Sequence, residues 1–318
     1  MAAMTQGALK LGTLAAAQTL QVAADKRMPP AGQGDWLSGL AMGPHGMRRY
    51  RLYRPSDVKW GECLPLVVML HGCGQDAKSF AQSTRVNRIA ERERFLVLYP
   101  EQDRLSNPQG CWNWFETRSG RAYAEADLIM RAIDQVCLLY PVDSTRVAVA
   151  GLSAGASMAA LLVTRYANRF KAVMMHSGIP PGTAHSRLSA LGAMHGHRRV
   201  KPLPTAPFAM SATWPPLMVI HGNSDTVVSA RNGRAAVRAW SAAVDAKEGK
   251  SREVQRGRRY SMTVTDYSVG KSTVATLVEV QQLGHAWSGG AANEAYSDGK
   301  GPDASRMLWR FAAKQFAK

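Results

Sequence analysis

The sequence predicts an α/β fold, a mostly parallel central sheet with helices on both faces. Short apolar runs alternate with helical stretches along the chain. Several of those runs, such as "LPLVVMLHG" and "PPLMVIHG", are apolar throughout, as strands covered on both faces must be. Turn-forming or polar residues follow each run.

Taken in order, residues 47–55 alternate as a period-two strand, and 64–72 form a buried strand ending in glycine. A helix is predicted over 79–94, a buried strand over 95–100, and a strong amphipathic helix over 121–141, stopped by Pro141. Residues 146–150 then read as a strand, and 158–163 as part of a helix. Strands follow at 170–178 and 215–222, a helix around 230–244, the last strand at 275–284 and a closing helix at 303–316. Residues 1–45, ending in Pro- and Gly-rich sequence, are expected to be an N-terminal arm. Residues 46–318 are expected to form one domain, with an insertion around 179–216 over one end of the sheet.

The chain has 318 residues, enough for a sizeable core, and is 46% hydrophobic. No apolar run is long enough to span a bilayer, so no membrane partner is expected. The N-terminus loosely resembles a signal peptide, with Lys10 as its charged part, but Thr13, Gln18, Thr19 and Gln21 interrupt the apolar stretch. An amphipathic or disordered arm is the expectation, a cleaved signal the alternative. Lys and Arg number 40 against 23 Asp and Glu, a net charge of +17. The basic residues are scattered, with short clusters at 195–201 ("HGHRRVK") and 252–260 ("REVQRGRRY"). Neither cluster interleaves aromatics and no nucleic-acid-binding motif accompanies them, so a generally basic surface is expected and no nucleic acid partner. The cysteines (Cys63, Cys73, Cys111, Cys137) make no C-x-x-C pair and the histidines no H-E-x-x-H, so neither a metal nor a cofactor is expected. Nothing in the sequence fixes an oligomeric state.

The chemistry centres on "GLSAG", Gly151 to Gly155. This G-x-S-x-G pattern lies between a predicted strand and a predicted helix, where a sharp turn exposes Ser153 and demands small neighbours. The alternative is an inert serine in a glycine-rich turn. A nucleophilic serine needs a base, and the base an orienting acid. Asp225 follows the strand over 215–222, and His285 follows the last strand. The three groups thus stand in the order Ser, Asp, His, each beyond a strand, where open α/β sheets place ligand sites. His176 and His221 end strands and are expected to be packed or hydrogen-bonded. Asp127, inside a helix, is expected to serve as a cap or to make a salt bridge. An oxyanion hole needs two backbone N–H donors. Ala154, directly after Ser153, is the candidate for one, and Cys73 in "HGCGQ" for the other.

"LPLVVMLHGCGQ", "YPEQ", "CWNWF", "GLSAGASMA", "VIHGNSDTVV" and "GHAWSGG" together resemble esterases of the poly(3-hydroxybutyrate) depolymerase type, which share much of this pattern with feruloyl and acetylxylan esterases. The resemblance covers roughly 47–290 and implies an α/β-hydrolase fold. It implies Ser153 as nucleophile, Asp225 as acid, His285 as base, and Cys73 near the oxyanion hole. It also implies a Cys73–Cys111 disulfide, with free thiols as the alternative; the resemblance and a disulfide would suit an extracellular or periplasmic location, with a cytoplasmic one the alternative if the N-terminal signal is not real. Cys63 and Cys137 are expected to be buried core residues.

The expected substrate is a carboxylic ester, foremost a hydroxybutyrate oligomer or polymer, with feruloyl or acetylxylan esters as the alternative. No Thr- or Ser-rich linker and no polymer-binding module follow the catalytic region, so soluble oligomers, amorphous polymer or small esters are expected over crystalline polymer. Trp112, Trp114, Phe115 and Trp287 are candidates for the substrate wall, two of the four being expected to pack in the core; Trp287, beside His285, is the first choice for contact. A reading from another class, a non-catalytic polyanion-binding protein on the same fold, leaves the three catalytic-type groups without a use.

Overall fold

The computed structural model describes residues 32–203 and 214–318. Its centre is one large sheet. The strands are β1 (Asp35–Gly43), β2 (Gly46–Arg54), β3 (Leu64–Leu70), β4 (Leu96–Pro100), β5 (Val142–Leu152), β6 (Ala172–His176), β7 (Leu217–Gly222), β8 (Lys247–Glu248), β9 (Arg252–Val254), β10 (Met262–Val269) and β11 (Ser272–Val280). Their order is β1-β2-β4-β3-β5-β6-β7-β11-β10-β8, with β9 also on β10. The run from β4 to β11 is parallel; β1, β2, β8, β9 and β10 add antiparallel edges.

The helices are α1 (Ala77–Thr84), α2 (Val86–Glu93), α3 (Arg121–Leu139), α4 (Ala154–Arg165), α5 (Arg187–Met194), α6 (Arg231–Ala242) and α7 (Ala304–Phe316). Successive strand side chains point to opposite faces, and the core divides accordingly. Leu66, Val68 and Leu70 of β3 join the cluster holding α3, α4 and α6. Val67 and Met69 join the one holding α1, α2 and α7. Every residue of β3, β4, β6 and β7 is buried, which is why these strands read as unbroken apolar runs.

Four expectations need correction. The N-terminal arm does not extend to residue 45: β1 pairs along its whole length with β2, and the rest of the arm, 1–31, lies outside the described residues. The helix expected over 79–94 is two helices, broken where Arg85 adopts a left-handed conformation (φ 56°) and sends its guanidinium to the Gly289 and Gly290 carbonyls at 2.7 and 2.8 Å. The last strand ends at Val280, so His285 stands at the end of a short loop rather than directly after a strand. β10 was not anticipated, since its run "MTVTDYSV" mixes polar and apolar residues as an antiparallel strand beside the sheet edge does. The insertion expected over 179–216 contains α5, and its residues 204–213 lie outside the described residues.

Candidate active site

β5 runs into α4 through Ser153, whose backbone (φ 56°, ψ −118°) lies in a region non-glycine residues rarely occupy. The strain is held by close packing on both sides. A Cβ on Gly155 would collide with the Leu70 carbonyl, and one on Gly151 with the Gly155 backbone. The Ser153 N–H donates to the His176 carbonyl at 2.9 Å, tying the turn to β6. The Ser153 hydroxyl is thereby presented to a cleft of about 680 Å³ that His285, Cys73 and Ala154 also line.

Asp225 and His285 meet across loops that are 60 residues apart in sequence. His285 Nδ1 lies 2.8 Å from Asp225 Oδ2, and the Asp225 side chain is fully buried. Asp225 Oδ1 accepts the Val227 and Val228 N–H groups at 3.0 and 2.8 Å. Burial opposes the Asp225 charge, but hydrogen bonds from His221, His285 and the Val228 N–H outweigh it and hold the carboxyl well below the usual carboxylate range. The acid is therefore ionised at neutral pH, and it fixes the His285 tautomer with the proton on Nδ1 and Nε2 free to accept. Among the described residues no hydrogen bond joins Ser153 Oγ to His285 Nε2; both face the one cleft. Such contacts commonly tighten only when substrate binds.

The N–H groups of Cys73 and Ala154 have no acceptor among the described residues. Ala154 is the first residue of α4, where the helix end favours negative charge. Both donors reach the cleft unspent.

The "CWNWF" segment divides its labour. Cys111 is bonded to Cys73, fastening this segment to the loop after β3. Trp112 is fully buried and its indole N–H donates to the His71 carbonyl at 3.0 Å. Asn113 is fully buried and binds Glu125 of α3 through its N–H (2.9 Å) and its Nδ2 (2.6 Å). Glu125 also receives Gln102 Nε2 at 2.8 Å, and Gln102 Oε1 receives buried Arg48 at 2.6 Å. Trp114 and Phe115, packed edge to face at 5.5 Å, line the cleft. The His71 ring continues the scaffold: its Nε2 accepts the Gln102 N–H at 3.1 Å, and burial pushes its pKa down to about 4.

The expected substrate contact at Trp287 is corrected. Its ring is fully buried, stacks on His176 at 5.1 Å, meets Phe80 edge-on, and donates to Ser305 Oγ at 3.0 Å. It points into the layer between the sheet and α7, whereas His285, two residues earlier, faces the cleft. Trp112, by contrast, does line the cleft, but its ring is fully buried and its polar edge is spent on the His71 carbonyl, so it backs the cleft wall. Of the four aromatic candidates, two of which were expected in the core, three are buried there: Trp112 and Trp114 on one side of the sheet and Trp287 on the other, with Phe115 partly buried. Cys63 is exposed and Cys137 half-buried, so neither is the core residue expected. Asp127 pairs with Arg165 at 3.0 Å. His176 and His221 are both buried and hydrogen-bonded: His176 Nε2 accepts the Ser288 N–H at 3.1 Å, and His221 Nε2 lies 2.8 Å from the Val228 carbonyl.

One wall was not anticipated. Arg187, Ala190, Leu191 and Met194 of α5 line the cleft. Their i, i+3, i+4, i+7 spacing places them on one helical face, a signal legible in the sequence. Tyr296 lines the mouth from a loop with no such pattern.

A parallel sheet whose strained serine turn and Asp–His pair lie beyond its strand ends defines the α/β-hydrolase class. An acetyl xylan esterase structure from Aspergillus awamori shares the fold, with a TM-score of 0.65 at 18% identity, covering 87% of this chain and 100% of that one. Residues 48–245 match the family described as esterase PHB depolymerase, and the chain belongs to that family, as a carboxylic ester hydrolase. Poly(3-hydroxyalkanoate) depolymerase C of Paucimonas lemoignei is 31% identical over 175 residues, 53% of this chain and 42% of that enzyme. The chain thus spans less than half the length of that depolymerase. Feruloyl esterase B of Neurospora crassa is 26% identical over 204 residues, 60% of this chain and 69% of that one.

Proposed function

We propose that the protein hydrolyses esters of short hydroxyalkanoate oligomers through an acyl-enzyme. Ser153 Oγ attacks the ester carbonyl while His285 Nε2 takes its proton. Asp225 holds the imidazole and stabilises its cation. The N–H groups of Cys73 and Ala154 receive the oxyanion. His285 then protonates the departing alcohol, and a water activated by the same imidazole releases the acid. The Asp225–His285 contact at 2.8 Å, beside a strained serine on the same cleft, is the observation that carries this reading.

The oligoester preference draws on the largely apolar wall formed by Trp114, Phe115, Ile179, Leu191 and Met194, which suits methyl-branched acyl units. It draws also on the likeness to a depolymerase. Ser153→Ala should lower kcat by about 10⁶-fold with the fold intact, as for other serine triads. Near-wild-type turnover in that variant would refute the assignment. A panel of hydroxybutyrate oligomers, p-nitrophenyl acetate, methyl ferulate and acetylated xylan tests the substrate: turnover confined to ferulate or xylan would replace the oligoester reading while leaving the triad.

A further inference from the structure

The basic cluster at 252–260 has a place in the fold that the sequence does not reveal. A second cleft, of about 500 Å³, lies between α7 and the strands β9, β10 and β11. It shares no lining residue with the catalytic cleft. It reaches Met218 and Thr273, near the starts of β7 and β11, whereas Ser153, Asp225 and His285 lie beyond strand ends.

One wall carries Arg252, Arg256 and Arg259; the other carries Arg306, Arg310 and Lys314, each four residues from the next and so aligned along one face of α7. These six cations face two carboxylates, Asp266 and Asp303. Asp266 is engaged by Arg252 at 2.7 Å and by the Thr276 hydroxyl at 2.7 Å. Asp303 caps α7, accepting the Arg306 N–H at 2.9 Å. Arg259 spends a guanidinium N–H on the Gly301 carbonyl at 2.6 Å. Arg256, Arg310 and Lys314 are exposed and pair with no carboxylate among the described residues. Between the charged walls the floor is apolar: Met262, Val264, Val278 and Phe311 line it.

We propose that this cleft binds an aliphatic acid, its carboxylate held among Arg256, Arg310 and Lys314 and its chain laid on the floor. Guanidinium groups suit a carboxylate because two parallel N–H donors match its two oxygens. The apolar floor decides the rest of the ligand. A polyanion charged along its whole length would leave that floor uncovered, and a neutral lipid would leave the cations unanswered. The proposal does not depend on which ester the enzyme cleaves.

Calorimetric titration of the full chain with octanoate, acetate, 1-octanol and a short oligothymidylate tests it. Octanoate should bind one per chain, at least about tenfold more tightly than acetate or 1-octanol, and more weakly as salt is added. R310E/K314E should weaken octanoate by about tenfold or more while p-nitrophenyl acetate turnover stays within about twofold, as for exposed substitutions away from the triad. Leu191→Arg, in the catalytic cleft, should leave octanoate binding intact. Absence of octanoate binding, its loss in the Leu191 variant rather than in R310E/K314E, or tighter binding of oligothymidylate than of octanoate would each overturn the proposal.

Discussion

The serine turn and the aromatic segment "CWNWF" face the same cleft but are built on different principles. At the turn, neighbours in sequence are neighbours in space. Gly151 and Gly155 are small because β5, α4 and the Leu70 carbonyl converge there, and the pentapeptide announces it. In the aromatic segment each residue answers to a different part of the chain: Cys111 to Cys73, Trp112 to His71, Asn113 to Glu125, and Trp114 and Phe115 to the cleft. Residue type is therefore a good guide to role in the first region and a poor one in the second.

The largest way to break the comparison is Gly155→Ala. The added methyl meets a backbone carbonyl that cannot move without shifting β3. A loss of about 4 kcal/mol or more is expected, in the range reserved for such steric conflicts. Denaturant unfolding measures it, and a loss below about 1 kcal/mol would show that the turn relaxes. The double variant C73S/C111S frees the aromatic segment from the loop after β3 and opens a crosslink of sequence separation 38. It should cost about 2–4 kcal/mol and lower activity, because the Cys73 N–H is then less firmly placed. Full stability after reduction would contradict the anchoring role.

A smaller effect separates two aromatics of this segment. Trp112→Phe strands the buried His71 carbonyl and should cost about 1–3 kcal/mol of stability. Phe115→Ala, at the cleft wall, should instead raise KM for bulky acyl esters more than for acetate. The reverse pattern would restore Trp112 as a substrate contact. The last test is a slope with pH, a small change per step that accumulates across the acid range. Burial holds His176 and His71 neutral, with pKa values down to about 3 and about 4 against 6.5 for the free side chain. The unfolded chain then binds more protons than the folded one below pH 6.5. Stability is full above that pH and is lost as pH falls towards the folded values, by up to about 1.4 kcal/mol per unit for each histidine. Urea unfolding at a series of pH values measures the slope; a flat profile would mean that neither ring is held neutral.

Much of this architecture was legible. The buried strands announced themselves because a strand covered on both faces cannot afford polar residues, and β3, β4, β6 and β7 are of that kind. The edges were harder to read: β1 and β10 carry mixed patterns, and the left-handed residue Arg85 splits a continuous helical pattern without any glycine to mark it. For the site, the order of Ser153, Asp225 and His285 followed from chain order and strand ends.

By itself the sequence determined the alternation of strand and helix, the serine turn and the residue types able to form a charge-stabilised nucleophile. These depend on interactions between residues close along the chain, or on how thoroughly a segment is buried. The tertiary structure alone decided which aromatic faces the cleft, that α5 supplies a wall, and that cations from 252–260 and α7 share one groove. Those outcomes depend on which faces distant segments turn towards each other. Trp287 makes the point: two residues from His285, it faces the opposite way because its indole is claimed by His176 and Ser305.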